Sequence, residues 1–328
     1  MKTINFPLVF FIGFELCYYL LIAQTGIVEV FHTDMFIVGF LPFGGVIGSI
    51  LATYVDLKKE YKVFIFLVLQ FTMSLFYPNL SSFNLFLLGI AVGGMAPLIM
   101  DYIKKANSID MVLALGIAYV IGTSLFTTIP ESRAIYGLFF TSMAFIAFIF
   151  LRYKKTIKNK DAKKYISYSL FYMTFWVFLD SALFETLSRD IDIPIWRGGY
   201  SFEIMVFHIL GVIGGVVLRF DYYQKAFFIL VLFATSYFFY FLREPLILSM
   251  VYPFVISYYN ITILQSLYKI KSFKTLGIYM IFIGWVASGL GLFVAYIQII
   301  IFLPILFLIV LLYMINQQTY FKKGVYHG

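Results

Sequence analysis

The chain has 328 residues, of which 62% are hydrophobic and only 12% are charged. Soluble domains contain about 45–50% apolar and about 25% charged residues, so this composition excludes a soluble protein and predicts an all-α polytopic membrane protein. The single cysteine, Cys17, excludes an internal disulfide and a cysteine-cluster metal site. We expect neither a metal nor another cofactor.

In chain order, the charges and turn residues divide the sequence into about twelve apolar segments of about 17–22 residues, the length of a membrane-spanning helix. These segments are 5–24, 35–54, 63–79, 83–103, 109–128, 134–151, 165–185, 201–219, 226–242, 246–268, 275–295 and 298–316. Only the stretch YIQI separates the last two, so a count of eleven stays open. No small-residue cleavage site follows the first run, which we read as a span instead of a removed signal.

The basic residues indicate the orientation. With the amino terminus in the cytoplasm, the outer segments hold four of the 24 Lys and Arg residues and the inner segments hold the other twenty. The positive-inside rule then predicts a bacterial-type inner (plasma) membrane protein with both termini in the cytoplasm. The net charge of +8 is explained by anionic membrane lipid, and we expect no nucleic-acid partner.

The tetrapeptide GVIG occurs at 45–48 and again at 211–214. Each copy lies in a segment that descends to the cytoplasm and is followed by an acid and then by lysine. Gly-x-x-x-Gly spacing in these segments favours close helix packing. The repeat indicates a duplicated unit.

The basic stretch 152–164 lies near the midpoint of the chain, with six predicted spans on each side. We therefore predict two pseudo-repeated six-helix bundles, at 1–151 and 165–328, joined by a cytoplasmic linker at 152–164.

The turn after the second segment carries a glycine, an aspartate eight residues later and then basic residues: Gly48, Asp56, Lys58, Lys59 and Lys62. The fourth segment, LGIAVGGMAPLIMDYIKK, is rich in glycine and has Asp101 near its inner end, and the second half has a weaker copy of the turn. These patterns resemble the major facilitator superfamily. Leu57 stands where that family usually has arginine, and the fifth segment does not have the glycine-proline pattern of the drug and proton antiporters.

The resemblance implies two halves that rock about a central site, with a cytoplasmic latch. The residues placed in the latch are Gly48, Asp56, Lys58, Lys59, Asp101 and Asp221. A solvated charge cluster beside the membrane is the alternative. The resemblance also implies that the first, fourth, seventh and tenth spans line the cavity. The polar and aromatic side chains expected there are Tyr18, Tyr19, Gln24, Trp176, Tyr252, Tyr258, Tyr259, Asn260 and Gln265.

Three ionisable residues lie within predicted spans: Glu15, Asp180 and His208. An ionisable group inside the hydrocarbon is costly unless it faces the bundle interior or water, so we predict that these three bind the substrate or couple protons. A hydrogen-bonded structural role for His208 stays open. Glu185 and Glu203 lie near the outer surface, where we expect them to be hydrated.

No lysine or arginine lies in the middle of a predicted span, which disfavours an anionic solute unless Arg197 or Arg243 reaches inward. We therefore expect a secondary active transporter, coupled to protons and active as a monomer, that moves a small neutral or cationic solute. A non-transporting assembly factor or sensor with a transporter-like body is the alternative. An intramembrane enzyme using Asp180 and His208 is disfavoured, because the histidines are scattered and no hydrolase or phosphate-binding motif occurs.

Overall fold

The computed structural model describes residues 4–31, 34–151 and 166–325, and the side chains of these residues except those at 35, 166–168 and 315–325. The described residues form helices and turns and contain no strand. The predicted linker, 152–164, lies outside the described residues, as do His32 and His327.

Each predicted apolar segment is occupied by a helix, numbered here in chain order. The helices are α1 Phe6–Val30, α2 Phe36–Tyr54, α3 Lys59–Phe76, α4 Ser82–Ile103, α5 Ser108–Leu125, α6 Pro130–Ile149, α7 Ile166–Arg189, α8 Ser201–Val217, α9 Tyr222–Phe241, α10 Pro245–Tyr268, α11 Phe273–Tyr296 and α12 Leu303–Val325. We call α1 to α6 the amino-terminal group and α7 to α12 the carboxy-terminal group.

Among the described residues, nine of these helices are long and apolar enough to cross a membrane. The other three are α3, which has Lys59, Glu60 and Lys62 in its first turns, α8, which has 17 residues, and α12, which with the 3-10 turn Ile300–Phe302 before it forms the shorter apolar helix Ile300–Met314. The fold is therefore that of an all-α polytopic membrane protein, and within the part of the chain that the structure describes, length and composition support nine spans.

Contacts between helices define the bundle. In the amino-terminal group, α1 packs against α5 and α6, α2 against α4, and α3 against both α4 and α6. In the carboxy-terminal group, α7 packs against α11, α8 against α10, and α9 against α10 and α12. The two groups meet where α5 packs against α8 and where α2 packs against α11.

Glycines allow two of these helix pairs to approach closely. A Cβ atom added to Gly44 or Gly48 of α2 would lie 2.1 or 2.2 Å from a backbone oxygen of α4, and one added to Gly93 of α4 would lie 2.1 Å from Gly45 O. In the other group, a Cβ atom at Gly211 of α8 would lie 2.4 Å from Phe254 O of α10. Small residues permit this backbone contact between apolar helices, where lipid provides no hydrophobic drive.

Two helices contain π-helical turns, at Tyr19–Gly26 in α1 and at Ile281–Val286 in α11. In α1 the Thr25 hydroxyl donates to two main-chain carbonyl groups of the widened turn, Leu20 O at 2.8 Å and Leu21 O at 3.1 Å. Such turns are frequent at functional sites, and residues of both segments line the central cavity.

Candidate functional site

A cavity of about 300 Å³ lies between the two helix groups. Its wall is built mainly from aliphatic and aromatic side chains of α1, α4 and α5 on one side and of α7, α10 and α11 on the other. Glu15, Asp180 and His208 all line it, so the structure brings together the three ionisable residues that the sequence indicates. No lysine or arginine is among the described lining residues.

Asp180 of α7 is held by two tyrosines of α10. The Tyr259 hydroxyl donates to Oδ2 at 2.6 Å, and the Tyr252 hydroxyl lies 2.8 Å from Oδ1 and 2.9 Å from the main-chain oxygen of Asp180. The two tyrosines are seven residues apart, so they lie on one face of α10, two turns apart. Both carboxyl oxygens of this buried acid therefore have a donor.

Glu15 of α1 has a different environment. Its Oε1 accepts a hydrogen bond from Gln70 Nε2 of α3 at 3.2 Å, and the same amide nitrogen donates to Thr141 Oγ1 of α6 at 3.1 Å. Glu15 is 3% exposed and Gln70 is fully buried. This polar network ties α1, α3 and α6 together next to the cavity.

His208 of α8 lies where the two groups meet. Its ring stacks on that of Tyr119 of α5, with centroids 4.2 Å apart and planes 4° apart, and its Nδ1 is 2.7 Å from Ser257 Oγ of α10. Asn260 of α10 donates to the Tyr119 hydroxyl at 2.9 Å. His208 thus belongs to a cluster that spans both groups and borders the cavity.

The other predicted wall residues fall into two sets. Those that line the cavity are Tyr18, Tyr19, Gln24, Tyr259 and Asn260. Those that do not are Trp176, Tyr252, Tyr258 and Gln265.

Their contacts explain why these four lie elsewhere. Trp176 stacks against Tyr172, Tyr252 donates to Asp180, and Tyr258 packs against the rings of Phe228 and Phe254. Gln265 is bonded to Lys225 Nζ and Gly215 O. Residues of one helix point in different directions, so membership of α7 or α10 alone does not place a side chain on the wall.

The end of the bundle at which α1 begins, here the near end, holds the predicted latch. Lys59 Nζ and Asp101 Oδ2 form an ion pair at 2.7 Å, and Lys59 Nζ lies 4.4 Å from the centre of the Phe273 ring of the other group. Asp56 and Lys58 are exposed and form no ion pair with another described side chain.

The two remaining latch residues have structural roles. Gly48 lies in the contact between α2 and α4. Asp221 begins α9, where its carboxylate accepts from Gln224 N at 2.8 Å in a capping box. The latch residues thus separate into one ion pair, two exposed charges, a packing glycine and a helix cap.

At the opposite end of the bundle, here the far end, a charge cluster that the sequence did not indicate joins the two helix groups. Arg133 is fully buried, and its guanidinium donates to Glu29 Oε2 at 2.7 Å and to Phe126 O at 2.7 Å. Glu29 Oε1 accepts from Arg197, in the loop between α7 and α8, at 2.8 Å. This contact joins the two helix groups, and Arg197 points at Glu29 instead of at an anionic solute.

The lining residues that the sequence did not indicate include Gln70, Tyr119, Trp196 and Trp285. A glutamine inside an apolar run was a signal for Gln70, but the expected wall did not include its helix.

The expectation that Glu185 is hydrated was wrong, because its side chain is buried, with 4% of its surface exposed. Helix α7 continues to Arg189, one turn past the predicted end, so Glu185 stays inside the packed bundle.

Among the described residues, no group of three or more His, Cys, Asp or Glu side chains is placed to hold a metal ion. No protein-family model matches the chain, and no curated protein matches it either. The fold and the site define the class: an all-α polytopic membrane protein with two buried carboxyl groups on the wall of a cavity between its two helix groups.

Proposed function

We propose that the chain is a secondary active transporter of the major facilitator type, which moves a small neutral or cationic solute by alternating access and couples this movement to protons. The observation that carries the proposal is the cavity, whose wall comes from both helix groups and includes Glu15 of α1 and Asp180 of α7. A cavity between two groups is the site that rocking motion exposes to each side in turn.

Most of the helix contacts agree with the proposed twelve spans in two repeated halves. Adding six to each helix number turns the pairs α1–α5, α2–α4, α3–α4 and α3–α6 into α7–α11, α8–α10, α9–α10 and α9–α12, and all eight pairs are in contact. The pair α1–α6 is the exception, because α7–α12 is not among the main contacts of the described helices. The pairs between the groups follow the same rule, since α5–α8 corresponds to α11–α2. In this proposal α3, α8 and α12 cross the membrane as their counterparts do.

The two ends of the bundle supply contacts that rocking would break in turn. At the near end, Lys59 lies over Phe273, and the Lys104 ammonium donates to Ile270 O across the groups. At the far end, Arg197 pairs with Glu29. The near end is cytoplasmic in this proposal, because the predicted inner segments carry most of the basic residues.

The acids of the wall support the choice of solute and of coupling ion. A buried carboxyl group can balance a cationic solute or carry a proton, and the described wall offers no cation to balance an anion. The hydrogen bonds from Tyr252 and Tyr259 hold the Asp180 carboxyl group in a fixed place beside the cavity.

Proton flux in proteoliposomes tests the proposal. Purified protein is reconstituted with a pH-sensitive dye inside the vesicles, and a panel of neutral and cationic solutes is added outside. We expect at least one solute to start a proton flux that Glu15→Gln or Asp180→Asn abolishes. Thr235→Val is the control, because the hydroxyl of this half-buried threonine of α9 bonds, among the described residues, only its own helix, at Val231 O.

Two results would contradict parts of the proposal. If both acid variants behave as wild type, the site assignment is wrong. If no solute drives a flux, the carrier assignment fails, and the assembly factor or sensor is favoured.

A further inference from the structure

The loop between α7 and α8, residues 190–200, folds inward at the far end of the bundle. Three of its apolar side chains are buried, those of Ile193, Ile195 and Trp196. Trp196 also lines the cavity. A connecting loop normally runs over the surface of a protein, whereas this one forms part of the cavity wall.

Two phenylalanine rings surround Trp196 at this end of the cavity. The centre of the Trp196 ring lies 5.5 Å from that of Phe126 and 5.3 Å from that of Phe184. All three side chains are buried and all three line the cavity. Phe126 directly follows α5 and Phe184 lies in the last turns of α7, so this aromatic cluster closes the cavity where both helices end.

Solvent lies directly beyond the aromatic cluster. The Arg197 guanidinium lies 5.6 Å from the centre of the Phe126 ring, and 45% of the Arg197 side chain is exposed. The same Phe126 ring lines the cavity on its other side. At this point a single ring therefore separates the cavity from an exposed side chain.

The attachments of the loop differ along its length. Its first part is tied to its own helix group, because Asp192 Oδ2 lies 3.1 Å from Arg243 Nη1. Its second part is tied to the other group, where Arg197 pairs with Glu29 at 2.8 Å. Among the described residues, Trp196 Nε1 has no hydrogen-bond partner, so packing holds this ring in place.

Gly199 allows the second part of the loop to change direction. Its φ is +89°, in the left-handed region that favours glycine, and a Cβ atom added there would meet nothing within 4 Å. It lies just before α8, which begins at Ser201. Residues at the end of an element commonly absorb the φ and ψ changes of a hinge.

We propose that residues 190–200 are a lid over the far end of the cavity. The Trp196 ring closes the opening, and the ion pair between Arg197 and Glu29 keeps the loop in place. When the ion pair breaks, the loop turns about Gly199 and the Trp196 ring leaves the two phenylalanine rings, which opens the cavity without rocking of the helix groups. The proposal rests on the proposed function, to which it adds a local step that admits a solute from the far side.

Labelling of a cysteine behind the lid tests the proposal. Thr123→Cys places a thiol on the cavity wall, about one turn before Phe126, and a membrane-impermeant methanethiosulfonate with a trimethylammonium group is added outside intact cells. Ile191→Cys, on the exposed surface of the lid, reports whether the reagent reaches the far end. Protein without an added cysteine measures any labelling of Cys17.

Two substitutions should open the lid. Trp196→Ala removes the ring that closes the opening, and we expect the labelling rate of the Thr123→Cys thiol to rise about tenfold or more. Arg197→Met removes the ion pair, and because exposed pairs are weak we expect a rise of about two- to fivefold. Arg243→Met is the matched control, since it removes the ion pair that the loop makes with its own group and should leave the rate unchanged.

An unchanged labelling rate in Trp196→Ala or in Arg197→Met would overturn the proposal, and so would an equal rise in Arg243→Met. Arg197 is exposed, so its variant keeps the test valid if Trp196→Ala fails to fold.

Spin labels at Leu57 and Lys271, both exposed at the near end, distinguish movement of the lid from rocking. We expect the distance between them in Arg197→Met to equal that in the wild type. A shorter distance together with faster labelling would show that rocking opens the far end, and would refute the lid.

The flux assay gives a separate result. A solute-driven proton flux combined with unchanged labelling in the two lid variants would retain the proposed function and refute the lid. Faster labelling in both variants without a flux from any solute would support the lid and place the failure in the carrier assignment.

Discussion

Two tyrosine hydroxyl groups position the carboxyl group of Asp180 on the wall of the cavity. Tyr252 and Tyr259 reach it from the same face of α10, and only Tyr259 also lines the cavity. The hydrogen bond from Tyr259 therefore joins the acid to the space that a solute would occupy.

Removing that hydroxyl should impair transport. Tyr259→Phe takes away the donor at Asp180 Oδ2, and we expect the solute-dependent proton flux to fall by about tenfold or more. Tyr258→Phe is the matched control, since the Tyr258 hydroxyl has no hydrogen-bond partner among the described residues. A Tyr258→Phe variant impaired as strongly as Tyr259→Phe would contradict this role for Tyr259.

The sequence identified some of these residues and missed others for a physical reason. Glu15, Asp180 and His208 could be found because a charge in an apolar span is costly and therefore rare. Tyr119 and Trp285 could not, because aromatic side chains occur in every helix, with 26 tyrosines and 40 phenylalanines in the chain. Only three-dimensional packing distinguishes an aromatic residue on the wall from one that faces lipid.

At the scale of helices, the contact between α2 and α4 depends on the absence of side chains. Gly93→Ala places a methyl group 2.1 Å from the backbone oxygen of Gly45, and backbone cannot move aside as a side chain can. We expect overpacking to lower the stability by about 1–3 kcal/mol, measured as a lower midpoint of thermal unfolding in detergent.

Gly116→Ala in α5 is the control for this substitution. A Cβ atom there would meet nothing within 4 Å, so the better helix propensity of alanine should leave the midpoint unchanged or higher. The prediction fails if the two variants unfold at the same temperature.

Helix positions followed from the sequence, whereas helix neighbours did not. Runs of apolar residues bounded by charges predicted a helix in each of the twelve segments, because length and hydrophobicity alone determine such runs. Which helix lies beside which depends on side-chain shapes along both partners, and only the Gly-x-x-x-Gly spacing of α2, α4 and α8 gave a hint. The far-end cluster of Glu29, Arg133 and Arg197 could not be foreseen, because its members are 64 residues or more apart in the sequence.

For the whole molecule, the first question is whether α3 and α8 cross the membrane. Cysteines introduced at Leu57 and Asn79 flank α3, and cysteines at Ile191 and Phe220 flank α8, all at exposed positions. With a membrane-impermeant maleimide on intact cells, we expect labelling at Asn79 and Ile191 but not at Leu57 and Phe220. The native Cys17 is fully buried, so we expect no labelling of it by the maleimide.

Labelling of both members of either pair from the outside would show that the helix between them does not cross. The twelve-span arrangement would then be wrong, and the two groups of helices could not be repeats with the same arrangement in the membrane.

Alternating access is the central claim, and distances between spin labels at the two ends test it most directly. One pair, at Glu131 and Arg243, reports on the far end, and a second pair, at Leu57 and Lys271, reports on the near end; all four positions are exposed. The account predicts that a change of pH or an added solute lengthens one distance while it shortens the other. Two distances that stay fixed under every condition, in protein that remains folded, would contradict the account and indicate a static scaffold.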